Sequence, residues 1–394
     1  MKFLFGKSVL VLSILATPVL AQSTPCGGSF SSFLKGVRVE ALAAGYSQQA
    51  TDAVLNSAQL DPKVLSRDRA QGVFKQTFLE FSQRSISSYR MTNGAKNMDR
   101  YASVFDRARR EFGIPAEVIT AFWALETDYG AVQGDFNTVN ALATLAHDCR
   151  RPHLFRPQLL AAIEMVENGD LDPATTTGAW AGEIGQVQML PEDILTKGVD
   201  GDGDGHVRLK TSSPDAILTA ANLLNALGWQ AGEPWLIEVT ATRNVQWNKS
   251  GLHTKLRVSE WEAMGLRARN GNMPSGRAEA SLLVPQGRLG PKFLAFRNFD
   301  VYLEWNRSFI YSTTAAYLAT RLGGAPRYDA GTPDQGLNDA QMKQLQKILA
   351  ARGYDVGKID GILGARTRNA VQAEQTRMGL PADAWPTPSF LARY

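Results

Sequence analysis

The chain has 394 residues, of which 44% are hydrophobic, and its 42 basic and 38 acidic side chains give a formal net charge of +4. A chain of this length and composition can bury a large core and should divide into more than one domain. The near balance of charge, without a clustered basic stripe, excludes a typical nucleic-acid-binding protein.

Residues 1–21 have the features of an export signal. Lys2 and Lys7 precede an apolar stretch, and residues 19–21 (VLA) are suited to a signal peptidase. The stretch is short for a bilayer span and contains Pro18. We predict that this signal peptide is removed, with no stable membrane insertion afterwards; a retained anchor is the alternative.

Two cysteines remain after such a cleavage, Cys26 and Cys149. An exported chain meets oxidising conditions, in which a pair of thiols is expected to close. The sequence therefore predicts a disulfide between them, although two unrelated thiols would give the same count.

Apolar residues three and four positions apart predict helices within residues 29–112, and again at 156–170 and 213–229. Between 235 and 310 the composition shifts to β-branched and aromatic residues, which predicts short strands and irregular loops. A Gly- and Pro-rich stretch at 323–336 is predicted to be a linker. A small helical module over 337–394 follows it.

The stretch "PAEVITAFWALETDYG" at 115–130 sets one acid into an apolar helix. A helix that begins at Pro115 brings Ile119 and Phe122 onto the face that carries Glu126. Poor solvation there favours the neutral carboxyl and raises its pKa, so that Glu126 can donate a proton near neutral pH. A hydrogen-bonded structural glutamate at a helix edge is the alternative.

A second stretch, "GAWAGEIGQVQMLPEDI" at 178–194, combines close-packing glycines with groups that suit a sugar. Trp180 offers a face on which a pyranose ring can stack, and Gln186 and Gln188 offer amide hydrogen bonds. A Gly-rich turn that leads into a helix is the alternative.

A third stretch, "DGDGDG" at 200–205, places carboxylates at alternate positions with a glycine at the sixth, like the start of an EF-hand loop. The carboxylates are those of Asp200, Asp202 and Asp204, and the main-chain carbonyl of His206 would be a further ligand. Thr211 stands where the usual glutamate would be. We expect a structural Ca²⁺ ion, with a metal-free turn as the alternative, and no catalytic cofactor.

Taken in order, "ALETDYG", "NTVNALATLAHDCRRPHLF", "GAWAGEIGQVQMLP" and "VDGDGDGHVRL" resemble membrane-bound lytic transglycosylase B and its relatives, glycoside hydrolase family 103. The resemblance covers about residues 29–322. It implies a mainly α fold, in which an α+β lysozyme-like catalytic domain has extra helices and a small β region. The implied substrate is peptidoglycan, which places the enzyme in the periplasm of a Gram-negative-type cell envelope.

The resemblance also implies roles for individual residues. Glu126 would be the single catalytic acid/base, and Asp215 would close the metal site. Substrate contacts are expected from Gln188, Arg150, Arg151, Asn306 and Tyr311, and with them from Trp180, Gln186 and Trp305. This chain departs from the relatives in having Ala179 where they commonly have serine and Trp305 where they have tyrosine.

Most glycosidases use two carboxylates, but no second acid is expected at this site. Asp128 lies about 200° round the helix from Glu126, and Glu183, where relatives have a small residue, is expected to face solvent. Glu126 would therefore serve first as acid and then as base, assisted by the acetamido group of the substrate. The product would be a 1,6-anhydro sugar. A hydrolytic muramidase using the same glutamate and a non-catalytic wall-binding scaffold are the alternatives.

The module at 337–394 resembles the three-helix peptidoglycan-binding domain type 1. The resemblance rests on Leu345-Gln346, Gly353-Tyr354 and "DGILG" at 360–364. Such a module would raise the concentration of the polymer near the catalytic cleft. A small helical bundle that mediates another contact is the alternative.

Overall fold

The computed structural model describes residues 25–70, 76–241 and 245–394. The predicted signal peptide and its cleavage site lie outside these ranges. None of the helices within them combines the length and apolarity that crossing a bilayer requires. Helices dominate, and the strands are short and mostly confined to one region, so the predicted fold class is confirmed.

The helices, in chain order, are α1 (Phe30–Ala43), α2 (Gln48–Ser57), α3 (Pro62–Arg69), α4 (Phe78–Ser85), α5 (Ser88–Arg100), α6 (Ala102–Phe112), α7 (Ala116–Thr127), α8 (Thr138–His147), α9 (Pro152–Glu167), α10 (Pro191–Lys197), α11 (Ser213–Ala226), α12 (Val258–Ala263), α13 (Arg297–Trp305), α14 (Phe309–Leu322), α15 (Asp339–Ala351), α16 (Ala365–Arg377) and α17 (Pro388–Leu391). The strands are β1 (Phe136–Asn137), β2 (Thr177–Gly178), β3 (Leu236–Ala241), β4 (Leu256–Arg257), β5 (Leu266–Ala268), β6 (Glu279–Leu283) and β7 (Phe293–Ala295).

Two helix boundaries differ from those that the pattern predicts. Within the predicted helical region 29–112, the periodic pattern of residues 95–112 falls on two helices rather than one, because Tyr101, with φ −107° and ψ 27°, ends α5 and begins α6. Pro115 is not the first residue of α7 but its N-cap, with ψ 146°. The helix therefore begins one residue later than predicted, and Ile119, Phe122 and Glu126 keep their relative positions on it.

Helix α7 runs through the centre of the main core. Val118, Ile119, Ala121 and Phe122 are fully buried, and α14 packs along the helix on one side while α5, α6 and α11 contact it elsewhere. Burial of so many apolar side chains stabilises the helix far more than its own propensity does. The rigid core thus fixes the end of α7, where Glu126 lies.

The predicted disulfide is present. Cys26 and Cys149 are bonded across a separation of 123 residues, which ties the segment before α1 to the residues before α9. Closing so long a loop reduces the entropy of the unfolded chain and stabilises the fold.

The region after α11 carries an antiparallel sheet with the strand order β4-β6-β7-β3-β5. Its own core includes the fully buried Trp261, whose Nε1 donates to the carbonyl of Ala280 at 2.8 Å. The other two strands, β1 and β2, pair with each other, and β2 leads into the loop that borders the site described below.

Helices α15, α16 and α17 pack around a small core of their own that includes Leu345, Leu349 and Val371. This C-terminal module also bonds to the sheet region. The Nη2 atom of Arg368 donates to the carbonyl of Pro285 at 2.8 Å, and the Nε2 atom of Gln372 donates to the carbonyl of Ser250 at 2.9 Å. The module is therefore held against the main body in addition to being joined to it by residues 323–336.

Candidate active site

Glu126 lies in the last turn of α7, next to a sharp change in chain direction. Asp128 ends the helix in the left-handed conformation, with φ 50°, and its carboxylate binds Arg90 at 2.6 Å, away from Glu126. Burial raises the pKa of Glu126, although hydrogen bonds from Tyr311 and Trp305 oppose the rise. The direction is the one predicted from the apolar stripe.

Both hydrogen-bond donors to Glu126 bind the same carboxylate oxygen. The Trp305 Nε1 atom lies 2.9 Å from Oε1, and the hydroxyl of Tyr311 also donates to Oε1. Within the described ranges no donor binds Oε2. The carboxyl group is thus anchored through one oxygen, and the other is left for a proton or a ligand.

The two donors are themselves fixed by packing. The ring of Trp305 stacks on Phe122, with centroids 4.3 Å apart, and Tyr311 is 7% exposed in the first turn of α14. Both were predicted as substrate contacts, but their hydrogen bonds favour a role in positioning Glu126. Asn306, between them, accepts a hydrogen bond from the backbone of Ser308 at 2.9 Å, so it shapes the link from α13 to α14.

The loop formed by residues 178–189 packs against the end of α7. The hydroxyl of Thr127 donates to the carbonyl of Gln186 at 2.5 Å. Glycine is required at two positions: a Cβ atom on Gly178 would lie 2.0 Å from the carbonyl oxygen of Glu183, and Gly182 has φ 89° and packs against Leu142. The close backbone approach that the sequence predicts for these glycines is present.

The two glutamines of this loop differ in what they can offer a ligand. Gln186 is 5% exposed, and its Oε1 accepts a hydrogen bond from Ser213 at 3.2 Å. This position favours a structural role in the loop rather than the predicted substrate contact. Gln188 is half-buried, has φ 53°, and bonds through Nε2 to the carbonyl of Gly185 at 2.9 Å. Trp180 is also half-buried and packs at the edge of the core.

Glu183 corrects an expectation, because it is half-buried rather than fully exposed to solvent. Its Oε2 atom is buried and accepts no hydrogen bond within the described chain. Burial raises the pKa of Glu183; backbone N–H groups oppose this rise and the negative charge of Glu126 adds to it. A second carboxyl group therefore lies within electrostatic range of the first.

Arg150 and Arg151, predicted to contact the glycan or its peptide, both bind the same oxygen of Asp68. Asp68 is 1% exposed; burial alone would raise its pKa, but the two arginines reverse this and lower it. The arginines remain 44% and 30% exposed, so both guanidinium groups can still reach a ligand. Asp68 was missed in the sequence because it lies 82 residues before its first partner.

The carboxylates of Asp200, Asp202 and Asp204 come together, with one oxygen of each within 4.8 Å of the others. Asp215 binds the backbone of this loop. It is 1% exposed, and its two oxygens accept hydrogen bonds from the backbone N–H groups of Gly201 at 2.9 Å and Arg208 at 2.7 Å. Both oxygens of Asp215, the predicted closing ligand, are therefore already bound to backbone N–H groups of the loop. The side chain of His206 binds Asp170 at 2.8 Å, which leaves its main-chain carbonyl to be considered as a ligand.

A carboxylic acid with a raised pKa, next to a loop that carries a tryptophan and two glutamines, is typical of enzymes that break glycosidic bonds. The family described as "Transglycosylase SLT domain" matches residues 29–320, and "Putative peptidoglycan binding domain" matches residues 338–393. The chain belongs to the SLT transglycosylase family and carries a peptidoglycan-binding module, as the resemblances predicted.

Known proteins support this assignment at different levels. The chain is 30% identical over 238 residues to membrane-bound lytic murein transglycosylase B of Escherichia coli K12, an alignment that covers 60% of this chain and 64%, less than two thirds, of that protein. The structure of SltB3 from Pseudomonas aeruginosa in complex with NAG-anhNAM-pentapeptide is 36% identical, with a TM-score of 0.85 over 93% of this chain and 99% of that one. Escherichia coli Slt35 in complex with calcium is 26% identical, with a TM-score of 0.64 over 77% and 97%.

Proposed function

We propose that the chain is a lytic transglycosylase that cleaves the β-1,4 bond between N-acetylmuramic acid and N-acetylglucosamine, with Glu126 as its single acid/base. The observation that carries this proposal is the asymmetry of the Glu126 carboxyl group. Trp305 and Tyr311 bind Oε1, so the exchangeable proton belongs on Oε2, the oxygen without a donor.

In the first step the proton on Glu126 moves to the glycosidic oxygen, and the bond from that oxygen to C1 of the muramyl ring breaks. The carbonyl oxygen of the muramyl acetamido group bonds to C1 as the leaving sugar departs with its new hydroxyl. Oε1 keeps its two donors, which stabilise the negative charge that now resides on the carboxylate.

In the second step the C6 hydroxyl of the same ring attacks C1 and releases the acetamido oxygen. The proton of that hydroxyl returns to Glu126, which restores the acid. The product is a 1,6-anhydromuramyl end, and no water is consumed. An acid that must serve both steps works best with a pKa near the working pH, which is the direction that burial gives Glu126. The anhydro sugar bound to SltB3 supports this product.

The C-terminal module supports an enzyme that binds the polymer it cuts. We therefore assign residues 29–322 to the catalytic domain, 323–336 to the linker and 337–394 to peptidoglycan binding. The similarity to a murein transglycosylase supports a location in the bacterial cell envelope, and the predicted export signal supports the periplasm.

The loop at 200–205 has the chemistry of a structural Ca²⁺ site, because carboxylate oxygens are the ligands that this ion prefers. Calcium bound to Slt35 supports the assignment. Asp200, Asp202 and Asp204 would hold the ion. Arg208 binds Asp204 at 2.8 Å and would have to move aside. The ion would stiffen the loop and has no part in the two steps above.

The proposal is tested on purified peptidoglycan sacculi with the wild-type protein and Glu126→Gln, a variant of the same shape that cannot exchange a proton. Mass spectrometry of the soluble products should show 1,6-anhydromuramyl ends for the wild type. The rate at which the variant releases soluble products should be at least about 1000-fold lower. Products with reducing muramyl ends would instead establish hydrolysis. Binding without any release by the wild type would establish a scaffold.

A further inference from the structure

The first turn of α14 connects the acid to the C-terminal module. It is capped by Ser308, whose Oγ accepts the backbone N–H of Tyr311 at 3.3 Å. Tyr311, the third residue of the helix, donates its hydroxyl to Glu126. Phe309, the first residue, presents its ring to Arg368 of α16, whose guanidinium carbon lies 5.0 Å from the ring centroid. One turn of helix therefore contacts the acid through one side chain and the module through another.

Arg368 is held by two different interactions. Its Nη2 atom donates to the carbonyl of Pro285, just after β6, at 2.8 Å. Its positive charge lies over the face of Phe309, and such an attraction is stronger where water is excluded. Burial lowers the pKa of Arg368 to about 10, which leaves the group charged at neutral pH. Arg368 thus joins the module both to the end of β6 and to the beginning of α14.

Two cavities flank Arg368 where the module faces α14. One, of about 330 Å³, is lined by Phe309 and Arg368 together with Leu283. The other, of about 270 Å³, is lined by Arg368, by Ile310, the second residue of α14, and by Met342 of α15. Because a cavity supplies no packing contacts, the constraint that the module places on this turn depends strongly on Arg368.

We propose that Arg368 is a positioning residue for the reaction: by holding Phe309, the C-terminal module keeps the hydroxyl of Tyr311 on Oε1 of Glu126. This inference rests on the proposed function, because it concerns the acid of that reaction. It gives the module a role beyond attachment to the polymer. A hydrogen bond weakens steeply when its geometry is poor. A small displacement of the turn therefore reduces the stabilisation of the carboxylate formed in the first step.

The test measures kcat and KM of the full-length Arg368→Met protein on soluble glycan strands, from the release of 1,6-anhydromuramyl ends. Methionine is also long and unbranched, but it has neither the charge nor the donor. We expect kcat to fall about 3-fold, less than removal of the Tyr311 hydroxyl would cause, and KM to stay within about twofold of the wild-type value.

Two further variants serve as controls for the loss of kcat. Arg368→Lys keeps a cation that can lie over the ring of Phe309, so its kcat should lie within about 1.5-fold of the wild-type value. Arg366→Met is the matched substitution in the same helix. Arg366 is exposed, and its ion pair is with Asp355 of the module itself, so this variant should behave as the wild type.

A double variant distinguishes this route from a general loosening of the fold. Tyr311→Phe lacks the hydroxyl that Arg368 would position, so the addition of Arg368→Met should change its kcat by less than about 1.5-fold. Losses that multiply would overturn the proposal, as would an Arg368→Met protein in which only KM changes or neither constant does. If Arg368→Met does not fold, Phe309→Leu, which removes the ring instead of the cation, replaces it in both measurements.

Failure of this proposal is separable from failure of the proposed function. If the wild-type protein releases no anhydro products, the reaction itself is rejected. If the wild type releases them and Arg368→Met does so with the same kcat, only the positioning role is rejected.

Discussion

Tyr311 and Glu126 are 185 residues apart in the chain, yet the tyrosine hydroxyl donates directly to Oε1 of the acid. Burial and the negative charge of Glu126 both raise the pKa of Tyr311, so the hydroxyl keeps its proton and remains a donor at every pH at which the enzyme would work. This bond stabilises the ionised acid and therefore opposes the effect of burial on it.

We predict that Tyr311→Phe raises the pKa of Glu126, because the variant loses a hydrogen bond to the charged form. The alkaline limb of the pH dependence of kcat, along which the acid loses its proton, should move to higher pH. At neutral pH kcat should fall about 10-fold, since the carboxylate formed in the first step is less stable. Tyr302→Phe is the control: Tyr302 is fully buried, and its hydroxyl binds no group in the described chain. An unchanged limb in Tyr311→Phe would contradict the prediction.

The sequence predicts the burial of Glu126 but not the hydrogen-bond partners of its carboxyl group. Ile119 and Phe122 predict the burial of Glu126 because they repeat at helical spacing on one short segment. Trp305 and Tyr311 follow Glu126 by 179 and 185 residues, and no local pattern encodes which atom they bind. A family motif shows that two residues belong to the same site. It does not show whether a residue contacts the sugar or hydrogen-bonds to Glu126.

The half-buried position of Glu183 is not predictable from the sequence for a related reason. A charged residue in a Gly-rich loop is normally solvated, and only the fold reveals that the loop wraps the end of α7. The contact between the C-terminal module and the sheet region is also not predictable from the sequence. Its three helices follow from periodicity and resemblance, whereas the bond from Gln372 to Ser250 joins side chains and backbone 122 residues apart.

Calcium should raise the thermal unfolding midpoint of the wild-type protein. The ion binds only the folded loop, so a concentration 100-fold above Kd stabilises the fold by about 2.7 kcal/mol. Asp202→Asn removes one charge from the three-carboxylate cluster and should abolish most of the shift. Asp172→Asn, at an exposed aspartate outside the loop, should retain it. A wild-type unfolding midpoint that changes neither with calcium nor with a chelator would contradict the proposed calcium site.

The contact between the C-terminal module and the sheet region should contribute to stability. Nε2 of Gln372, which carries two hydrogens, lies within hydrogen-bond distance of the carbonyls of Trp247 and Ser250 in the sheet region, at 3.2 and 2.9 Å. Gln372→Ala leaves these buried acceptors short of a donor and should lower the free energy of unfolding by about 1–3 kcal/mol in a urea titration. Gln344→Ala, on the exposed face of α15, is the control. Equal stability of the two variants would mean that the module is only tethered.

The stability of the C-terminal module should depend on pH through Glu374. Its side chain is 2% exposed, and hydrogen bonds, the largest effect coming from Arg377, outweigh burial and lower its pKa to about 2; Tyr354 and Tyr394 add to this. A folded-state pKa below the ordinary value of 4.5 stabilises the fold fully above pH 4.5, and the stabilisation is lost as the pH falls towards 2.

Glu374→Gln should therefore lower the free energy of unfolding at neutral pH, by at most roughly 3 kcal/mol, because its arginine partners are partly exposed and screened by solvent. The difference between wild type and variant, measured by urea titration of the full chain, should shrink below pH 4.5 and nearly vanish near pH 2. Glu279→Gln, at an exposed position of β6, should show no such trend. A difference that stays constant from pH 7 to pH 2 would mean that Glu374 stabilises the module by packing alone, because only a carboxylate that is ionised in the fold loses its advantage when protonated.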